Sequence, residues 1–139
     1  MMKKIINYHW RALLWALFIV VGCLMPADDM PQKNTFLTRF IFKIEQFIGY
    51  DFDKIVHFVM YFIFSLLLMA GFTRQFSEVK IKSFIFTFSI AVFCGVAIEL
   101  IQPLTGRSCE LFDMVANILG IAVGLLSFYP LRRILRNIL

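Results

Sequence analysis

Four apolar runs, Ala12–Met25, Ile55–Phe72, Ile81–Ile101 and Met114–Leu131, leave this chain few ways to fold. A helix crosses the hydrocarbon core of a bilayer with about 20 residues, and about 17 is the usual lower limit. The last three runs reach that length. The first is shorter, but Tyr8 and Trp10 extend it as interfacial aromatics, Arg11 snorkels towards lipid phosphates, and Pro26 stops it. Strands are excluded, because an open sheet edge has no partners in lipid and the runs lack dyad alternation. Composition agrees: the 139 residues are 60% hydrophobic with a mean hydropathy of +0.81. A soluble domain of this size lacks the interior to hide so much apolar surface. The sequence therefore predicts an all-α, four-helix polytopic transmembrane bundle forming a single domain over residues 1–139, with the lipid bilayer as its first partner.

The formal charge of +5 comes from 14 basic and 9 acidic residues. The basic residues form no stripe with interleaved surface aromatics, which argues against nucleic acid. They sit between the apolar runs and so report topology. The N-terminal segment, the Thr73–Lys82 loop and the C-terminal tail carry nine (Lys3, Lys4, Arg11, Arg74, Lys80, Lys82, Arg132, Arg133, Arg136), and the other side carries five (Lys33, Arg39, Lys43, Lys54, Arg107). By the positive-inside rule both termini are expected in the cytoplasm.

The first external loop, Ala27–Phe52, holds Phe36, Leu37, Phe40, Ile41, Ile44, Phe47 and Ile48 at helical spacing. Asn34 suits an N-cap and Gly49 a stop. A stretch of residues 35–48 is too short to span, so it reads as an amphipathic helix in the outer interface, or as a lid folded over the bundle. Cys23 and Cys94 lie in apolar runs and Cys109 lies alone in a loop, so no disulfide framework or zinc pattern follows. Val20-Val21-Gly22-Cys23 also reads as a lipoprotein signal with an acylated cysteine, although three further spans make that anchor redundant.

The polar residues of the apolar regions are not scattered. Asp53, Lys54 and His57 fall in the first outer turn of the second run, Glu99 and Gln102 in the last outer turn of the third, and Asp113 and Asn117 open the fourth. Arg107 lies in the turn between these last two. Asp53, His57, Tyr61 and Ser65 make one stripe at i, i+4 spacing; Ser83, Thr87, Ala91, Gly95 and Glu99 make a second; Asp113, Asn117, Gly120 and Gly124 make a third. Small residues let membrane helices approach, so the stripes are expected to face one another with their polar ends lining an outward pocket. Each residue also has a structural use: Asp53 and Asp113 as N-caps, Lys54 by snorkelling, Glu99 with Arg107 as a packing ion pair, Asn117 as an interhelical hydrogen bond. Independent structural uses would spread over both sides, so their convergence points to a site.

The ordered set Asp53-Lys54-x-x-His57, Glu99-x-x-Gln102, Gly106-Arg107 and Asp113-x-x-x-Asn117-x-x-Gly120 resembles the VanZ-like family, named for a protein associated with teicoplanin resistance. The match runs from about Asp53 to Gly124; Glu110 departs from it, standing where a small polar residue is expected. The resemblance implies a protein of the bacterial cytoplasmic membrane. The site then reads as a binder of a polar or anionic head group, such as a lipid-linked cell-wall precursor or a glycopeptide. Lys54 and Arg107 would hold phosphate or carboxylate, and Glu99, Asp113 and Asn117 would orient them. The alternative is an interfacial enzyme with His57 or Glu99 as general base and Arg107 stabilising a developing anion. No nucleophile elbow or phosphate-cradling glycine loop occurs, so no catalytic residue is assigned. A metal on His57, Glu99 and Asp113 would lack the HExxH spacing, and neither metal nor cofactor is expected.

Overall fold

In hydrocarbon every backbone N–H and C=O must be satisfied within the chain, and a helix does this segment by segment. The computed structural model describes residues 2–25, 52–76 and 81–138, with side chains described for 6–25, 52–76 and 81–132. These residues form α1 (Met2–Leu24), α2 (Phe52–Gln75), α3 (Ile81–Ile101), a 3-10 turn (Gln102–Thr105) and α4 (Leu111–Ile138). No strand occurs among them. The segments Ile6–Leu24, Phe52–Gln75, Ile81–Thr105 and Leu111–Arg132 are each long and apolar enough to cross a membrane. The protein is a multi-pass, four-helix membrane protein. The helix expected over 35–48 lies outside the described residues.

Three helices exceed their apolar runs. α1 begins at Met2 and takes in His9, which is buried inside the bundle. α2 extends to Phe52 and Gln75, and α4 starts at Leu111 and passes through Pro130 to Ile138. Asp53 and Asp113 therefore sit inside their first helical turns rather than at the caps. Between α3 and α4 the 3-10 turn opens with Pro103 near its start and ends at Gly106, whose φ of 76° is left-handed. A residue without Cβ adopts that conformation at no steric cost, which makes Gly106 the stop.

Contacts fix the helix order in space. His9 of α1 meets Gln75 of α2 at one end of the bundle. At the other end the Gly22 and Cys23 carbonyls of α1 receive Arg107 and Gln102. The start of α2, the end of α3 and the start of α4 share this second end. Both helical termini of the chain lie at the first.

Packing follows residue size. A methyl group at Gly120 would overlap the Phe58 carbonyl of α2, and one at Gly124 would overlap the Ser65 hydroxyl. The Gly120/Gly124 pair thus lays α4 directly on the α2 backbone, as small-xxx-small contacts do. On α3 the face Ser83, Thr87, Ala91, Gly95 and Glu99 is wholly buried, while Phe86, Phe88 and Phe93 point outwards to lipid. Tyr61 of α2, fully buried, lies against Gly95. α1 buries Ala12, Ile19 and Cys23 and leaves Leu13, Leu14, Leu17, Phe18 and Val21 exposed. Trp15 Nε1 donates to the Met60 carbonyl at 2.9 Å, tying α1 to α2 by a bond that no bulk water competes for.

Substitution at two glycines separates close approach from general tolerance. Gly120→Ala forces α4 off the Phe58 backbone and should cost about 1–3 kcal/mol, the usual range for overpacking. Gly22→Ala meets only the end of the Met60 side chain, at 3.6 Å, and should be close to neutral. Thermal unfolding of both variants in detergent checks the difference.

Candidate functional site

The polar end is built around His57. Asp53 and His57 are one turn apart on α2, and His57 is 3% exposed. Its Nδ1 lies 3.0 Å from Asn117 Oδ1 of α4, and Asn117 Nδ2 donates to Glu99 Oε1 of α3 at 3.4 Å. The amide thus turns its NH2 to Glu99 and its oxygen, which can only accept, to His57. That orientation puts a proton on His57 Nδ1. Glu99 Oε1 is also 3.6 Å from Nδ1, which gives the fully buried carboxylate a second stabilising neighbour.

The opposite ring nitrogen, Nε2, faces carboxylates. Asp53 Oδ1 lies 3.9 Å away and Asp113 Oδ2 4.0 Å away. Asp113 is buried, whereas the Asp53 side chain is half-exposed and forms the mouth of the cluster. Lys54 Nζ bridges Glu110 Oε2 at 3.4 Å and Asp113 Oδ1 at 3.8 Å. Arg107 Nη2 is 3.9 Å from Asp53 Oδ1, and Nη1 donates to the Gly22 carbonyl at 3.5 Å. Arg107 therefore reaches Asp53 and α1, not Glu99, and the packing pair expected between Glu99 and Arg107 is replaced by Glu99 with Asn117 and His57.

Glu110 lies outside the membrane-spanning segments. The Ser108 hydroxyl, donating at 3.1 Å, and then Lys54 hold its carboxyl below the usual range. The departure at this position thus supplies Lys54 with a partner. Gln102 Nε2 donates to the Cys23 carbonyl at 3.4 Å, so Gln102 anchors α1 beside the cluster. Cys23 itself is buried, at the residue where the lipoprotein reading would cut the chain. Tyr61 sits one turn deeper than His57, and its buried hydroxyl has no hydrogen-bond partner among the described residues. The same holds for Glu99 Oε2, Gln102 Oε1 and Asp113 Oδ1.

Sequence reading missed one buried polar pair. His9 Nε2 and Gln75 Oε1 are 3.0 Å apart at the opposite end, and the His9 ring packs edge-on against Phe72 at 4.5 Å. A methyl on Gly71 would strike this ring, so Gly71 makes its room. A glycine inside an otherwise bulky helical stretch was the available signal.

A family model described as VanZ/LLP1 matches residues 10–135. No curated protein and no solved structure matches the chain.

The Asn117 bridge has a measurable strength. In a double-mutant cycle of Asn117→Leu and Glu99→Gln, read by thermal unfolding, the two changes should couple by about 0.5–3 kcal/mol. Strict additivity would mean that the 3.4 Å contact contributes nothing.

Proposed function

The chain belongs to the VanZ/LLP1 family, and we propose that its polar end binds the polar or anionic head group of an envelope molecule, a lipid-linked cell-wall precursor or a glycopeptide. One observation carries this reading. Glu99, His57 and Asp113 are buried at one level of a membrane-spanning bundle, where ionisable groups are costly, and half-exposed Asp53 joins them to the surface. Intramembrane ionisable residues are by default functional, because packing alone is served more cheaply by apolar ones. Arg107 stands at the mouth with a planar fork of five donors, suited to bidentate phosphate or carboxylate. In this reading the cluster faces the outside of the cytoplasmic membrane, both termini are cytoplasmic, and occupancy alters glycopeptide susceptibility. The nine-to-five distribution of basic residues supports the orientation.

A second reading is favoured by the His57 ring, which Asn117 orients through Nδ1 so that Nε2 faces the mouth. A general base is held in this way. An enzyme of this kind would turn over a lipid or cell-wall precursor, and its product would disappear in His57→Ala.

Arg107→Ala removes the fork and should weaken binding of a lipid-linked precursor about 10–100-fold, the range for a lost hydrogen bond to a charged group. Glycopeptide susceptibility of cells carrying the variant should shift with it. Wild-type binding and susceptibility in both Arg107→Ala and Glu99→Gln would contradict the reading.

A further inference from the structure

The mouth of the cluster poses a charge problem. Among the described residues, four carboxylates, Asp53, Glu99, Glu110 and Asp113, stand with two fixed cations, Lys54 and Arg107. An end of the bundle meant to receive an anionic head group should not carry that surplus. The surplus is concentrated where His57 Nε2, Asp53 and Asp113 converge, with one ligand atom from each lying within 4.8 Å of the others.

With Nδ1 turned to Asn117, His57 turns Nε2 towards one carboxylate oxygen of Asp53 and one of Asp113. Asp113 meets His57 through Oδ2, and its other oxygen, Oδ1, in a residue 3% exposed, has no hydrogen-bond partner among the described residues. Lys54 approaches it to 3.8 Å, outside hydrogen-bond range. We propose that Asp53, His57 and Asp113 bind a divalent transition cation, zinc or manganese, whose open position takes an anionic oxygen of the head group. This inference rests on the head-group reading only for the last clause.

Four features of the site agree. Ligand bonds of about 2.0–2.2 Å would set donor atoms about 3.4 Å apart in a tetrahedron. The two distances to His57, 3.9 and 4.0 Å, would each contract by about half an ångström around a cation, and all three ligand atoms lie within 4.8 Å of one another. The donor set, one imidazole and two carboxylates, suits zinc or manganese better than a soft, thiolate-seeking metal. Metal-bound histidines donate their other ring N–H to a fixed acceptor, and the relay His57–Asn117–Glu99 is such an arrangement. A charge of +2 also cancels the surplus and lets an anion approach Arg107.

No HExxH pattern announces the site, because the ligands are an i, i+4 pair on α2 and a single residue of α4. The proposal departs here from the sequence expectation of no metal. His57 and Asp113 of the metal reading weighed there are retained; Glu99 moves behind His57, and Asp53 takes its place.

The test uses tag-free full-length protein carrying Cys109→Ser, stripped with chelator, in phosphatidylcholine nanodiscs. Titration calorimetry with Zn2+ and separately with Mn2+ should show one equivalent bound, and thermal unfolding should rise with Zn2+. Asp113→Asn and His57→Gln should each weaken binding by about 100-fold or more, and Asn117→Leu by about 10–100-fold, as removal of an orienting partner does. Asp53→Asn, half-exposed, tests the site without disturbing the interior and should also lose binding. Absence of a saturable equivalent, or unchanged affinity in Asp53→Asn, would overturn the proposal. A second titration uses nanodiscs containing a polyprenyl phosphate. Retention of that lipid after chelation would overturn the metal's bridging role while leaving the head-group reading intact. Metal bound at one equivalent with no lipid retained would support the metal site and overturn the head-group reading.

Discussion

The carboxamide of Asn117 joins three of the four helices. It sits on α4, accepts from His57 of α2 and donates to Glu99 of α3. In lipid there is no solvent to take over either bond, so the amide cannot leave without stranding a buried carboxylate and a buried imidazole. That one side chain ties both of these helix ends to α4. The remaining helix is attached differently. α1 offers the carbonyls of Gly22 and Cys23 to Arg107 and Gln102, and the indole of Trp15 to α2.

Packing below the cluster determines whether those bonds can form at all. Gly120 and Gly124 let the α4 backbone rest on α2, and Gly95 admits the Tyr61 ring between α2 and α3. A side chain at Gly120 or Gly124 would push α4 away from α2, whereas a methyl at Gly95 would only touch the Tyr61 ring, and bonds of 3.0–3.4 Å have little slack. Apolar bulk is confined to the lipid side, where Phe86, Phe88 and Phe93 stand. The seam of small residues and the polar end are therefore one device: the first sets the distance across which the second bonds.

Much of this is legible in the sequence because helical spacing is rigid. The stripe Ser83, Thr87, Ala91, Gly95, Glu99 is readable at i, i+4 intervals, and every member is buried. The four spans are readable because crossing hydrocarbon requires length and apolarity, which any window average detects. What escapes is pairing between helices. Nothing in sequence ties Glu99 to Asn117 rather than to Arg107, since the choice turns on the rotation of α4 about its axis. The contact of His9 with Gln75 escapes for a related reason: both residues look like polar flanks, and only the notch at Gly71 shows that His9 is accommodated inside. Helix starts at Phe52 and Leu111 are missed because the first turn of each mixes charge with apolar residues.

Binding of an envelope head group requires that the cluster open away from the cytoplasm. Cys109 reports this directly: it is exposed and lies between Arg107 and Glu110, whereas Cys23 is buried and Cys94 only partly exposed within α3. In spheroplasts, a membrane-impermeant maleimide should label the protein at Cys109 without permeabilisation, and Cys109→Ser should abolish the signal. Labelling that appears only after the membrane is opened would place the cluster on the cytoplasmic face and contradict the account.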